Sequence, residues 1–279
     1  MSHAIRRCIA FIVFLSCLPA ASAVAQHAPS GDTTATPKTG EVRLFESRDL
    51  LAVAGLAGTV ALVMQSDRRV ERAFDRPNVQ DNSGLKNFFN ASGFLGDPGS
   101  VILSAGLYFA GLGVHSRELA ALGMHTGESV VLGGVIAEAL KGEIGRARPT
   151  ISPTDSRVFK AGKGFSSDHY ASFPSAETTA AFAAATALSR GFSRDWPSHA
   201  RLMTAVAYTG ATLAAGSRLY KNEHWASDVV AGAGLGSFSA IFVDRFNRRY
   251  PNNIFERVFL PASVARYRGG MAVEWSSRE

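Results

Sequence analysis

The sequence predicts an all-α protein, a helical bundle with a small β-hairpin near its C-terminus. Its 279 residues are 46% hydrophobic and 19% charged, which supplies enough apolar surface for one sizeable core and excludes a fully disordered chain. The hydrophobic residues gather into long apolar stretches, and runs of about ten residues or more favour helices over strands. These stretches cover residues 50–64, 101–114, 130–140, 179–188, 202–215 and 229–243.

The N-terminal region is expected to precede the bundle. Two arginines come before an apolar run at residues 9–18, and small residues at 23–25 follow that run. This order is typical of a secretory signal peptide, so we expect residues 1–25 to be removed on export to the periplasm. Residues 26–40 are rich in Ser, Thr, Pro, Gly and Ala, which predicts a flexible segment. The helical domain is expected at residues 41–250.

Both cysteines, Cys8 and Cys17, lie within the predicted signal peptide. We therefore expect the mature chain to lack thiolate metal ligands and a cysteine nucleophile. In an alternative interpretation Cys17 is a lipidation site. That alternative is disfavoured because residues 14–16, Phe-Leu-Ser, match the usual small-residue pattern poorly.

Hydropathy favours a soluble bundle over a large polytopic membrane protein. The mean hydropathy is only +0.05. The longest apolar runs have 15 residues, and a helix of that length spans about 22 Å, less than the roughly 30 Å hydrocarbon core of a bilayer. Gly232 and Gly236, one turn apart, predict close helix packing. We expect a secreted bundle in contact with a membrane surface, and the oligomeric state is left open.

The tail at residues 251–279 differs from the bundle. Residues 258–267 and 271–275 are rich in strand-favouring types, and Arg268-Gly269-Gly270 separates them. This pattern predicts the hairpin. The net charge of +6 is too small to require a nucleic-acid partner, and none is expected.

A cationic segment at residues 141–149 closes one apolar helix. Lys141 and Arg148 are seven residues apart, nearly two helical turns, so they fall on one face. Pro149 ends the helix and leaves Arg148 at its exit, where a guanidinium can bind an oxyanion in bidentate fashion. The alternative, which has equal weight for this segment alone, is that cations merely favour a helix C-terminus.

A second segment, residues 172–179, has the Ser and Pro residues of an opening helical turn. The free N–H groups of such a turn form an anion site, although Ser175 alone is more commonly only a helix cap. A third segment places His224 and Asp228 four residues apart, so that a carboxylate can orient the imidazole. The other ring nitrogen is then a free nucleophile, and Arg218 adds a third cation.

The order Lys-x6-Arg-Pro, then Pro-Ser, then Ser-Arg-x5-His-x3-Asp resembles the type 2 phosphatidic acid phosphatase superfamily. This superfamily includes lipid phosphate phosphatases, bacterial acid phosphatases and vanadium haloperoxidases. The resemblance covers about residues 130–236 and implies a helical bundle, a phosphate ester substrate that includes lipid phosphates, and no metal or cofactor. It also implies roles for six residues. His224 would attack phosphorus, and Asp228 would orient the imidazole of His224. The residues that would hold the phosphate are Lys141, Arg148, Ser175 and Arg218.

The middle motif departs from the family pattern. The family reads Pro-Ser-Gly-His, whereas this chain reads Pro-Ser-Ala-Glu, so that Glu177 replaces the general-acid histidine. Burial would raise the pKa of Glu177 and suit it to acid catalysis, but the nearby cations would lower that pKa. An ionised Glu177 would pair with Arg148 or Arg218 and occupy the phosphate site. His169, eight residues earlier, is a second candidate proton donor.

These observations favour a metal-independent phosphoric monoester hydrolase that acts through a phosphohistidine on His224. The alternative is a weak or inactive phosphate-binding relative, because of Glu177. Vanadate-dependent halide oxidation would use the same anion site, but nothing in the sequence favours it. Phe88, Phe89 and Phe94 are expected to be core residues, with an access route for an amphiphile as the alternative.

Overall fold

The computed structural model describes residues 42–96 and 98–260, together with the backbone of two short strands after them. The predicted signal peptide at residues 1–25 and the predicted flexible segment at 26–40 lie outside the described residues. Both therefore stay predictions.

The described residues form a bundle of ten α-helices. The helices are α1 (Ser47–Met64), α2 (Asp67–Phe74), α3 (Pro77–Gln80), α4 (Ser83–Gly93), α5 (Gly99–Gly113), α6 (Arg117–Ile144), α7 (Ala176–Asp195), α8 (Pro197–Tyr220), α9 (Ala226–Arg249) and α10 (Ile254–Phe259). Two 3-10 turns, Lys163–Phe165 and Asp168–Tyr170, lie in the connection between α6 and α7. Each of the six apolar stretches coincides with a helix, except that Val114 is the C-cap of α5, so the predicted all-α bundle is confirmed.

Helix α7 is the centre of the bundle. It packs against α6, α8 and α9, and most of its residues between Thr178 and Gly191 are buried. Alanines dominate this segment, and their small side chains allow the neighbouring backbones to approach closely. At Gly236 an added Cβ would collide with the Thr179 carbonyl group, and at Gly232 it would meet the Ser175 carbonyl oxygen. The predicted close packing at these two glycines is therefore confirmed.

In the part of the chain that the structure describes, three helices are long and apolar enough to cross a membrane, namely α1, α6 and α9, with 18, 28 and 24 residues. The expectation that the apolar runs are too short was wrong for α6 and α9, because these helices continue beyond the runs. At 1.5 Å per residue they extend about 42 and 36 Å. Helix α1 exposes Leu50, Leu51 and Leu62 on its outer side. Apolar surface of this extent supports membrane association rather than a freely soluble bundle.

Two strands follow the bundle and pair antiparallel, as the hairpin prediction required. They are β1 (Ser263–Tyr267) and β2 (Gly270–Glu274), with Ser263 opposite Glu274. The predicted start of the first strand at residue 258 was wrong, because Val258 belongs to α10. Residue 275, the predicted end of the second strand, lies outside the described residues.

Candidate active site

The end of α6, the start of α7 and the turn between α8 and α9 meet at one end of the bundle. The predicted cations and the predicted nucleophile come from these three places. Lys141, Arg218 and His224 are all buried, with 7%, 8% and 2% of their surface exposed. A buried cation needs an anionic partner, and all three lie around the carboxylate of Glu177.

The imidazole of His224 is held at both nitrogens. Nδ1 lies 2.7 Å from the carbonyl oxygen of Ser172, and Nε2 lies 3.2 Å from Oε2 of Glu177. A carbonyl oxygen can only accept a hydrogen bond, so Nδ1 carries a proton and donates it. This arrangement leaves Nε2 as the nitrogen that faces the cationic cluster.

Glu177 is ionised in this arrangement. Burial raises the pKa of its carboxyl group, but the hydrogen bond from His224 and the charges of His224 and Lys141 outweigh burial and hold that pKa far below its usual range. The sequence left this balance open. In the structure the positive charges lower the Glu177 pKa by more than burial raises it. Since an ionised carboxylate can only accept, Nε2 of His224 also carries a proton here. In this ion pair Nε2 of His224, the atom that would attack phosphorus, is bound to Glu177.

Of the two arginines considered as partners of Glu177, Arg218 is the one within ion-pair distance. Its Nη1 lies 3.5 Å from Glu177 Oε1 and 2.8 Å from Glu223 Oε2. Arg148 instead donates to the main-chain carbonyl of Glu223 at 3.3 Å and to the Asp168 carboxylate at 2.7 Å. Because Glu223 precedes His224, both arginines are tied to the loop that carries the histidine.

Lys141 lies on the last turn of α6. Its Nζ donates to Glu138 Oε1 at 2.9 Å, and its charge also acts on the Glu177 carboxyl. Glu138 is mostly exposed, whereas Lys141 is 8% exposed as a side chain. Lys141 therefore keeps its charge on the inner side of the helix end, toward the site.

Ser175 is the N-cap of α7. Its buried Oγ accepts from the backbone N–H of Thr178 at 3.3 Å and lies 3.4 Å from Glu177 Oε2. The cap interpretation is therefore confirmed. The same Oγ borders the carboxylate, so Ser175 lies at the site as well as closing the helix end.

Asp228 is placed behind His224 but does not bind it directly. Its Oδ2 lies 3.9 Å from Nδ1, and it accepts instead from Ser172 Oγ at 2.6 Å and from the Trp225 N–H at 2.8 Å. Ser172 in turn offers its carbonyl oxygen to Nδ1. The predicted direct orientation of His224 by the Asp228 carboxylate is thus replaced by a link through Ser172.

Arg146, which the sequence reasoning did not single out, pairs with Asp228. Arg146 is fully buried and bridges two carboxylates, donating from Nη1 to Asp228 Oδ1 and from Nη2 to Asp67 Oδ2. Asp67 also accepts from the Ser227 N–H and Oγ at 2.8 and 2.7 Å. Arg146 lies between Lys141 and Arg148 in the sequence, and its spacing from these two residues does not indicate a role. Its partner Asp67 lies 79 residues earlier.

The structure also bears on the predictions made for His169 and for the three phenylalanines. His169 lies in the second 3-10 turn with an exposed side chain, and the contact it makes to the site is through its backbone, whose carbonyl accepts from the Arg148 N–H at 3.0 Å. Phe89 is buried, as predicted for a core residue, but Phe88 and Phe94 are 47% and 52% exposed. The core interpretation is confirmed for Phe89 and wrong for the other two.

The turn that follows α4 covers one side of the site. A Cβ added at Gly93 would lie 2.6 Å from Nη2 of Arg218, and one added at Gly96 would lie 3.1 Å from the Glu177 carbonyl oxygen. The exposed side chains of Phe94 and Leu95 lie between these two glycines. Within residues 42–96 and 98–260, no three His, Cys, Asp or Glu side chains gather in the way that a metal ion would require.

Comparisons with known proteins agree with the motifs. The family model described as the PAP2 superfamily matches residues 122–250, a range that contains all of the predicted site residues. Lipid A 1-phosphatase of Porphyromonas gingivalis is 30% identical over 171 residues, which cover 57% of this chain and 33% of that protein. The chain thus spans about a third of the length of this curated relative.

A solved structure, that of the first transmembrane PAP2 type phosphatidylglycerolphosphate phosphatase from Bacillus subtilis, is 19% identical. It covers 74% of this chain and 98% of its own, with a TM-score of 0.49. The matched family model and the order of the three motifs agree on the same segment of the sequence. Through residues 122–250 this chain belongs to the PAP2 superfamily.

Proposed function

We propose that the protein hydrolyses phosphoric monoesters, with His224 as the nucleophile and a lipid phosphate as the substrate class. The observation that carries this proposal is the Glu177 carboxylate itself. It is an anion held by His224 at 3.2 Å and by Arg218 at 3.5 Å, with its pKa lowered further by Lys141. A pocket that holds one anion against a histidine nitrogen is suited to hold a phosphoryl group in the same place.

The cations supply what phosphoryl transfer requires. The transferring group carries negative charge on its non-bridging oxygens, and catalysis consists mainly of positioning and of stabilising that charge. Lys141, Arg218 and the backbone N–H of Glu177 all act on the Glu177 carboxylate. Arg148 is anchored by Asp168 and the Glu223 carbonyl beside His224, and its guanidinium fork suits bidentate binding of a phosphate.

Glu177 gives a route for the proton that must leave His224. As the substrate arrives, Oε2 accepts the Nε2 proton, and the freed lone pair attacks phosphorus. A bond forms from Nε2 to phosphorus while the ester P–O bond breaks, and the proton on Glu177 passes to the leaving oxygen. Water then cleaves the P–N bond to release phosphate, and its proton returns to the pair formed by His224 and Glu177. Transfer of the Nε2 proton removes the positive charge and the hydrogen bond of His224 that hold the Glu177 pKa low, so that Glu177 performs the task of the missing histidine.

Two observations support a lipid substrate. The curated relative is named as a lipid A phosphatase, and the apolar side chains of Phe94 and Leu95 are exposed beside the site. Together with three helices long enough to cross a membrane, these side chains favour a phosphate presented from a lipid surface. We also propose that the protein is exported, in line with the predicted signal peptide.

A second candidate function is supported by the same ion pair. Because Glu177 holds Nε2 in its protonated form, the site would be a phosphate or lipid-phosphate binder without turnover if the pair did not open. The substitution Glu177→His separates the two functions. Turnover created by this substitution in an inert natural protein would favour the binder, whereas a lowered existing rate would make Glu177 part of the chemistry.

The experiment uses purified full-length protein in detergent with EDTA present. Phosphate release is measured from p-nitrophenyl phosphate and from phosphatidic acid. His224→Ala is expected to lower the rate by about 10³-fold or more, as removal of a nucleophile does. The matched control is His199→Ala, an exposed histidine near the start of α8, which should retain the natural rate.

Rapid quenching in alkali provides an independent test. A phosphohistidine is stable in base, so labelled phosphate from the substrate should stay on the natural chain and be absent from His224→Ala. Activity that survives His224→Ala would rule out the mechanism. Activity that is lost in His169→Ala but kept in Glu177→Gln would assign the proton to His169 instead.

A further inference from the structure

A cavity of about 650 Å³ lies between α1, α7, α8 and α9, apart from the candidate active site. Its interior is apolar and is lined by residues such as Leu56, Phe182, Val230 and Ile241. A volume of this size is in the range of small-molecule and lipid sites, which run from about 300 to 1,000 Å³.

One end of this cavity is cationic. Arg190, Arg194 and Arg248 line it, and Asp244 is the one carboxylate among the lining residues. Asp244 accepts from Arg190 Nη2 at 2.6 Å and from Arg194 Nη1 at 3.1 Å, and it lies 4.0 Å from Arg248 Nη1. Arg194 also pairs with Asp195, which lies outside the lining, at 3.0 Å. Three guanidinium groups thus face two carboxylates, so this end of the cavity keeps a net positive charge.

The cationic end lies far from the site around His224. Asp228, behind His224, and Asp244, between the arginines, are sixteen residues apart on α9, which corresponds to about 24 Å along the helix axis. Helix α9 is one of the three helices long and apolar enough to cross a membrane. With the candidate active site at one surface of a bilayer, the three arginines would lie at the opposite surface.

We propose that this cavity binds an anionic glycerophospholipid, with the headgroup phosphate on the arginines and an acyl chain along the apolar interior. Arginine forks match phosphate oxygens in bidentate fashion, and a basic pocket between membrane helices suits an acidic headgroup. Arg194 and Arg248 are the accessible members, with side chains 39% and 57% exposed. The site is independent of the proposed phosphatase activity, since it shares no residue with it.

The test compares lipid binding to the full-length chain by native mass spectrometry from detergent. Dioleoyl phosphatidylglycerol and dioleoyl phosphatidylcholine are added at equal concentrations, because they share acyl chains and differ in net charge. We expect one retained phosphatidylglycerol per chain and roughly tenfold weaker retention for each guanidinium removed, as for hydrogen bonds to charged groups. The variant is Arg194→Gln with Arg248→Gln, two exposed positions whose change should not prevent folding.

The control is Arg201→Gln, an exposed arginine near the start of α8 at the same end of the bundle and outside the cavity lining. It should keep full phosphatidylglycerol binding. Phosphate release from p-nitrophenyl phosphate should be unchanged in the double variant, which shows that it is folded. Equal retention of the two lipids, or retention that survives the double variant and is lost in Arg218→Gln, would overturn the proposal. Inorganic phosphate at millimolar concentration should not displace the lipid, because it lacks the acyl chain.

Discussion

Glu177 Oε2 lies 3.2 Å from His224 Nε2, the nitrogen that a phosphoryl group would have to reach. The carboxylate therefore fills part of the proposed anion site and holds the proton on Nε2 of the proposed nucleophile. It is also only 24% exposed and stands on the first turn of α7. The same residue thus competes with substrate and provides the nearest acceptor for the His224 proton.

Glu177→Gln should separate these two effects. Removing the negative charge should tighten the binding of inorganic phosphate or orthovanadate, because the cations lose their internal anion. Removing the proton acceptor should lower kcat by about 10² to 10⁴-fold, the usual contribution of general acid–base catalysis. Product inhibition gives the first quantity and steady-state kinetics give the second.

The control for this substitution is Glu138→Gln. Glu138 binds Lys141 at 2.9 Å but is 64% exposed and outside the contacts of His224. Its kcat should stay close to that of the natural protein. If Glu177→Gln left kcat unchanged, Glu177 would not carry the proton.

Stability against acid should depend on Glu177. Its pKa lies below the usual value because the hydrogen bond from His224 and nearby positive charges outweigh burial. The unfolded chain then binds this proton more readily than the folded chain does, since an unperturbed glutamate titrates near pH ~4.3. The contribution is present above that pH, and the free energy of unfolding should fall as the pH drops from about 5 toward 3.

Denaturant unfolding at several pH values measures this slope. Glu177→Gln should flatten it, whereas Glu143→Gln, an exposed glutamate on α6, should leave it unchanged. Equal slopes for the natural protein and Glu177→Gln would contradict the ionised pair.

The sequence predicted the bundle well because its apolar stretches are long and because the motif residues stand at fixed spacings. Those spacings brought Lys141, Arg218 and His224 to one end of the molecule. Helix lengths were predicted less well, since polar residues interrupt the apolar runs without ending the helices. Glu128 and Glu138 both lie within α6, one bound to Asn247 at 2.7 Å and the other exposed.

The second layer of the site could not be read from the sequence. Asp67 stands at the start of the short helix α2, and its link to Arg146 depends on how α2 packs against the start of α9. No local period reports a contact between residues 79 positions apart. The Ser172 carbonyl that accepts the hydrogen bond from His224 Nδ1 is a backbone group, and every residue has one. The sequence therefore indicated the Asp228 side chain as the direct partner of His224, whereas the structure places Ser172 between the two residues.

Arg146 should be important for stability as well as for the position of the site. Its guanidinium is fully buried between Asp67 and Asp228, and its Nε and Nη2 also donate to the Ser156 carbonyl at 3.0 and 2.7 Å. Arg146→Met would leave two buried carboxylates without a cation. The free energy of unfolding should fall by about 3–5 kcal/mol, as when one partner of a buried ion pair is removed.

Thermal and denaturant unfolding measure this loss. Arg157→Met, in the same connection between α6 and α7 but exposed, should change the free energy of unfolding by less than about 0.5 kcal/mol. A small effect of Arg146→Met would mean that Asp67 and Asp228 do not depend on this arginine.

Gly93 should control the position of Arg218, which we propose to bind the phosphate. It is the last residue of α4, and a Cβ placed there would lie 2.6 Å from Arg218 Nη2 and 3.0 Å from Ser217 Oγ. The arginine must therefore shift in Gly93→Ala, which we expect to raise KM and to weaken orthovanadate binding by about tenfold, the value of one charge-assisted hydrogen bond.

Gly113→Ala is the matched control, because Gly113 is the last residue of α5 and has nothing within 4 Å of an added Cβ. Unfolding curves of both variants should stay close to that of the natural protein. An unchanged KM in Gly93→Ala would show that Arg218 does not need its present position to bind substrate.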